Sequence, residues 1–259
     1  MPLIHVPSSL GGFPFLPAAA AAAYTCDAAD FDGTNDALNR GADFTGAADS
    51  SQFILSFWFR IDGGDGVNMR LLRGASSGFD LMRQTTNVFR FDIYDNADVT
   101  ELVRMDTVGT YTTSATWRHF LASCDTNFTA GNKLTHMYIT DVSDKNLIVD
   151  SALGNTINLT HTEWRISENF FNGALAEFYF APGQYLDFSV EANRRKFISA
   201  TGKPVDLGAD GSTPTGATPI LYLRMADGAA ASTFGTNLAS GGGMTITGAL
   251  DTASTSPSD

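Results

Sequence analysis

The sequence predicts an all-β protein: a two-sheet antiparallel sandwich with one short helix and an extended arm at each end. Three observations carry that prediction. Short segments rich in Val, Ile, Phe, Tyr and Trp recur through the body of the chain, the residues that suit a pleated, half-buried surface. Gly, Asn, Asp and Ser separate them, as tight turns require. Helical composition with signals at both ends occurs once, so the strands are not interleaved with crossover helices as in a βαβ fold. At 259 residues, the chain is within the range that one β sandwich occupies.

Residues 1–25 form an arm. It holds Leu3, Ile4, Val6, Leu10, Phe13, Phe15 and Leu16 and no charged residue other than His5 if protonated. Pro7, Pro14 and Pro17 interrupt the apolar part and there is no basic start, so it reads as an arm rather than an export leader. The alanine run 18–23 is too short to persist as a helix. Burying one large apolar side chain is worth about 1.5–3 kcal/mol before ordering costs. Leu3, Ile4, Val6, Phe13, Phe15 and Leu16 are therefore expected to contact a partner subunit, along an extended course that the prolines favour. The alternative is an arm packed on its own domain.

Residues 26–225 form the sandwich domain. FDGTNDAL (31–38) reads as strand and turn, and SQFILSFWFRI (51–61) as a core strand that Gly63, Gly64 and Gly66 end. MRLLRG, GFDLMRQ, VFRFDIYD, TWRHFLASCD, LTHMYITDV and ALAEFYFA follow as strands. A helix is expected over 189–199, with Ser189 as N-cap, Glu191 in the first turn and Arg194, Arg195 and Lys196 further on. Val190, Arg194, Phe197 and Ile198 would form its inner face. ILYLRM (220–225) reads as the last strand of the domain. Residues 226–259 are a low-complexity tail of Ala, Gly, Ser and Thr with strand character only in MTITGAL (244–250). Such a tail builds no core of its own and must lie along something else.

The charge balance removes whole classes of function. With 28 acidic against 16 basic residues and a net charge of −12, the chain lacks the clustered Lys and Arg that neutralise phosphates, so no nucleic-acid partner is expected. No apolar run reaches membrane-spanning length, about 20 residues, and no membrane insertion is expected. Cys26 and Cys124 are too few for a secreted disulfide scaffold and read as free thiols.

Catalytic readings fail on spacing. Around Glu177 the residues on the same strand face are Leu175, Tyr179 and Ala181. Glycoside hydrolysis needs a second carboxylate across the scissile bond. His5, His119, His136 and His161 accompany no G-x-S-x-G elbow. His119, two residues after Trp117 in a core strand, reads as a hydrogen-bonded structural imidazole. Asp30, Asp32, Asn35 and Asp36 of DFDGTND offer oxygens of the kind calcium takes, but Gly33 and Gly41 break the EF-hand spacing, and turn formation explains the stretch equally well. No catalytic, cofactor or metal residue is assigned, with calcium kept as an alternative.

FDGTNDAL, SSQFILSFWFRI (50–61), ATWRHFLASCDTN with KLTHMYITDV (115–142), and FNGALAEFYFAPGQYLDFSVEANRRKFI (171–198) resemble, in that order, the strands of the concanavalin A-like, laminin G-like jelly-roll superfamily. The resemblance covers roughly residues 27–198 and implies that the first and closing strands pair antiparallel. It gives Glu177 the structural acidic position of the closing strand in the family's binding modules. It also implies glycan binding through loop-borne aromatics, for which Trp164 and Tyr111 are the candidates. AEFYFAPGQYLDFS and the following KPVDLGADGSTPTG resemble tailed-bacteriophage proteins. That likeness implies a virion component, a decoration protein of capsid or tail assembled in the host cytoplasm, fastened in a symmetric assembly by its arms and able to bind host-surface glycans. The alternative is a lectin-like carbohydrate-binding adhesion module.

Overall fold

The computed structural model describes residues 23–259 except 76–77, 128–133, 152–155 and 170. Its strands are β1 (Cys26–Asp27), β2 (Ala29–Asp32), β3 (Ala37–Arg40), β4 (Gln52–Ile61), β5 (Met69–Gly74), β6 (Phe79–Arg83), β7 (Phe89–Tyr94), β8 (Glu101–Asp106) and β9 (Ser114–Asp125). Then come β10 (Leu134–Ile139), β11 (Val142–Ser143), β12 (Asn146–Asp150), β13 (Trp164–Ile166), β14 (Asn172–Pro182), β15 (Leu221–Leu223), β16 (Met225–Ala226), β17 (Thr245–Thr247) and β18 (Asp251–Thr252). Among the described residues they build two antiparallel eight-stranded sheets and a small β1–β16 pair.

The first sheet runs β11–β10–β9–β4–β14–β2–β18, with β15 also on β14. β2 and β15 share one edge of β14 in succession: Leu175 faces Ala29 and Phe178 faces Leu223. The expected pairing of first and closing strands is thus present. The second sheet runs β12–β8–β7–β6–β5–β13–β3–β17. Phe53, Leu55, Phe57, Phe59 and Ile61 of β4 enter the space between the sheets. There Phe57 stacks between Phe120 and Phe178, with ring centroids 4.9 and 5.0 Å apart.

The two outer faces differ. That of the first sheet is covered: Ile54, Leu121, Tyr179, Ala181 and Tyr222 lie beneath Phe188, Phe197 and Leu207. β4 is therefore buried on both faces and reads as a nearly continuous apolar run. The second sheet keeps an open outer face. β7 alternates buried Phe89, Phe91 and Ile93 with partly exposed Arg90, Asp92 and Tyr94, the period of two that one wet face imposes.

The 226–259 tail lies along the sandwich itself. β17 pairs with β3 in the second sheet and β18 with β2 in the first, so strand edges supply the hydrogen bonds that its small side chains cannot replace by packing.

The helix corrects the sequence expectation. It spans Glu191–Arg194, and Val190 is its N-cap. Ser189 cannot cap it because both its N–H and its hydroxyl donate to Asp187. Val190 is exposed, whereas Phe197 and Ile198 are buried, and Arg194 pairs with Asp141 over the Tyr138 ring.

Glu177 sits in the middle of β14 at a β-bulge between Ala176 and Tyr179, with φ of 51° and only 3% exposed. The bulge turns its carboxylate toward the Tyr24 and Tyr222 hydroxyls, which donate to it at 2.9 and 2.6 Å. A single strand's alternation does not reveal such an inserted residue.

Cys26 and Cys124 are buried and are not joined in a disulfide. Burial, with help from the Glu177 carboxylate, pushes the Cys26 thiol up to about 12. Neither thiol is expected to react with a thiol reagent in the native protein, and both should react on unfolding without reductant. A Cys26–Cys124 crosslink by mass spectrometry would refute this.

Candidate functional site

The open face of the second sheet carries a polar cleft. Register places Asp80 of β6 opposite Asp92 of β7, and Asp92 opposite Arg104 of β8. Met82 lies opposite both Arg70 of β5 and Arg90 of β7. These positions share one face because cross-strand partners point the same way.

A cleft of about 370 Å³ opens among them, lined by Arg70, Gly78, Asp80, Met82, Asp92, Tyr94 and Asp98. Arg70 Nε donates to Asp80 Oδ2 at 2.8 Å, and Arg104 Nε donates to Asp92 Oδ1 at 3.0 Å. The Asn158 amide donates to Asp98 Oδ1 at 2.7 Å. Gly78 leaves room for that carboxylate, since a Cβ there would lie 1.8 Å from Asp98 Oδ1. Asp80 is 2% exposed, and its Oδ1 has no hydrogen-bond partner among the described residues. Burial raises the Asp80 carboxyl above its ordinary value, offset in part by Arg70. Burial does the same to Asp92, offset in part by Arg104.

Chemically, the cleft is an array of fixed acceptors with one guanidinium fork, an aromatic ring at Tyr94 and an apolar patch at Met82. Such a surface matches a polyol, whose hydroxyls are donors on a body with apolar ring faces. Neither Asp80 nor Asp92 stands out in the sequence. VFRFDIYD does show Arg90, Asp92 and Tyr94 on one face, which is the signal available. Their alignment with Asp80 depends on register between strands.

The candidates that the sequence suggested lie elsewhere. Trp164 is a core residue of β13 with 0% exposure, so no sugar can stack on it. Its ring packs against Phe44, Phe79 and Phe180, and its N–H donates to Asp43 at 3.0 Å. Tyr111 is half-buried, set against Phe59 and Phe89 with the Arg118 guanidinium 5.5 Å from its ring, and its hydroxyl is bound to Asp144. Its ring is engaged by the protein itself. Leu3, Ile4, Val6, Phe13, Phe15 and Leu16 lie outside the described residues.

The oxygens of DFDGTND serve the turn. Asp32 Oδ1 accepts from the Thr34 and Asn35 amides at 2.7 and 3.2 Å. Asp36 accepts from the Asp32 and Ala249 amides, and Asp30 faces Arg60 at 3.8 Å. Among the described residues no three His, Cys, Asp or Glu side chains are gathered as a metal site would need. Nor is any described helix long and apolar enough to cross a membrane. His119 is buried with Nε2 2.8 Å from Ser56 Oγ, and burial lowers its pKa to about 3. It is a neutral, structural imidazole.

No protein-family model matches the chain, and no curated protein does. Solved structures share its fold. A candidate carbohydrate-binding protein from Bacteroides ovatus is similar with a TM-score of 0.55 at 14% identity, over 88% of this chain and 59% of its own. The SAP-like pentraxin of Limulus polyphemus is similar at 0.46 and 9% identity, over 63% of this chain and 79% of its own. Domains LG4-5 of the mouse laminin α1 chain are similar at 0.41 and 11% identity, over 62% of this chain and 44% of theirs. The two antiparallel sheets and the likeness to the B. ovatus protein agree with the sandwich fold expected of the chain, which spans 59% of that protein's length.

Proposed function

We propose that this protein is a carbohydrate-binding module that holds a glycan in the cleft on the open face of its second sheet, without cleaving it. One observation carries the reading: Arg70, Asp80, Asp92 and Asp98 surround the cleft beside Tyr94 and Met82, on the open outer face of the second sheet. Fixed acceptors and a guanidinium suit sugar hydroxyls, and the aromatic ring suits a sugar face. The shared fold with a candidate carbohydrate-binding protein agrees with this by analogy. Fastening within a virion, the other role expected from the sequence, depends on an arm outside the described residues and draws no support from these likenesses. Binding without cleavage is favoured because Asp80 and Asp92 are each engaged by an arginine.

The test is calorimetric titration with a panel of neutral, amino and acidic oligosaccharides. At least one should bind, and Tyr94→Ala and Asp92→Asn should each weaken it by roughly tenfold or more, the loss of one good contact. Circular dichroism should show both variants folded. Failure of every glycan to bind, or binding indifferent to both changes in folded protein, would reject the cleft as a sugar site. Release of new reducing ends that Asp92→Asn abolishes would make the protein a hydrolase instead.

A further inference from the structure

We infer that the groove beside the β1–β16 pair is the seat of the chain's own N-terminal arm, with Phe13, Phe15 and Leu16 the groups it takes up. This goes beyond the carbohydrate reading and does not depend on it.

The first ground is the groove. About 390 Å³ opens among Arg224, Ala226, Ala229, Thr233, Thr236 and Leu238. Leu238 is 39% exposed. The Thr233 hydroxyl donates to the Ala230 carbonyl at 2.7 Å, so it is already engaged. Arg224 is the one charged group of the lining, and its guanidinium lies 5.0 Å from the Tyr24 ring. An exposed surface of methyl groups with few free hydrogen-bonding sites suits an apolar, uncharged occupant.

The second ground is where the arm leaves the sandwich. Tyr24 is held at the edge of this groove, with its ring beside Arg224 and its hydroxyl donating to Glu177 at 2.9 Å. Cys26 faces Ala226 and Asp27 faces Met225 in antiparallel register. The chain before Cys26 therefore runs alongside the turn that follows Ala226, where the Ala229 amide donates to the Ala226 carbonyl at 2.9 Å. Ala226 and Ala229 both line the groove.

The third ground is the arm's sequence. Counting back from Tyr24, the first large apolar side chains are Leu16, Phe15 and Phe13, beyond Pro17 and the alanine run. Even a fully extended chain lets Leu16 lie at most about 28 Å from Tyr24. So short a tether keeps these side chains at high effective concentration over their own groove, ahead of a second copy's. The arm carries no charged residue other than His5 if protonated, which matches the lining. Fixing its root at Tyr24 also lowers the entropy still to be lost on seating it.

The experiment is thermal unfolding of the full chain, with molecular mass followed by light scattering over a range of concentrations. Wild type is compared with the arm variant Phe13→Ser/Phe15→Ser/Leu16→Ser, the groove variant Leu238→Glu, and the two combined. The arm variant should melt about 3–6 °C below wild type as a monomer. The combined variant should melt no lower than Leu238→Glu alone, because seat and occupant are one contact. Thr236→Glu, at an exposed lining position, should give the same pattern and replaces Leu238→Glu should that variant not fold. An arm variant that melts with wild type would overturn the inference. Fully additive losses would do so too, since the arm would then pack elsewhere. A wild-type assembly that the arm variant breaks up, with the melting of the monomer unchanged, would give the arm to a second copy and also overturn it.

Discussion

Glu177→Gln is expected to remove most of the pH dependence that this residue imposes on folding stability between pH 4.5 and about 7. Burial drives its carboxyl from 4.5 up to about 7, against the hydrogen bonds from Tyr222 and Tyr24 and the charge of Arg224, which act the other way. The native state therefore holds this proton more tightly than the unfolded chain does. The resulting stabilisation is fully present below pH 4.5 and is lost as pH rises through 7. It is worth roughly 3 kcal/mol over that window, at about 1.4 kcal/mol for each tenfold change in proton affinity. Glutamine keeps the shape, accepts from one tyrosine and does not ionise. Urea unfolding across this range should show the variant gaining on wild type as pH rises; parallel profiles would refute it. Glu177→Ala should be costly at every pH, because the buried Tyr222 hydroxyl loses its acceptor, about 1–3 kcal/mol, and the half-buried Tyr24 hydroxyl loses the same partner.

Trp164→Ala should cost about 3–5 kcal/mol of stability, the range for deleting a large aromatic from a packed core. The indole meets Phe44, Phe79, Phe180 and His161 at centroid distances of 5.3, 5.8, 5.4 and 4.8 Å. Its removal also takes away one of the two hydrogen bonds that Asp43 Oδ1 accepts, leaving the one from the Phe44 amide. Trp164→Phe should cost less, since it keeps most of the contact and loses the N–H. Glycan binding at temperatures where the alanine variant is still folded should match wild type. A variant with unchanged denaturation midpoint and abolished binding would restore Trp164 to the ligand site and count against the cleft.

The strands of the core were legible because their pattern is local. SQFILSFWFRI, TWRHFLASCD and ALAEFYFA carry enough β-branched and aromatic side chains to be strands wherever they pack. The short strands β3, β12 and β13 were less so. Strands this short borrow their conformation from their partners, and WRI or ALNR says little alone. Trp164 was read as a loop aromatic for that reason: only its pairing with Arg40 and Gly74 makes it a core residue of a sheet.

By itself the amino-acid order determined the all-β class, the absence of a local catalytic pair around Glu177 and the excess of acid over base, while the antiparallel pairing of first and closing strands came from the resemblance of its motifs, in their order, to a known family. Each is a property of composition, of motif order or of neighbours a few residues apart. Tertiary structure alone decided which face is open, where the tail lies and which carboxylates meet. Asp80 and Asp92 are opposite each other through the register of β6 and β7, and a slip of one residue would send both to the other face. Glu177 was buried by a bulge and by tyrosines 153 and 45 residues away in sequence. Such contacts depend on how the whole chain closes on itself, and the cleft exists because the layer over the first sheet leaves the second uncovered.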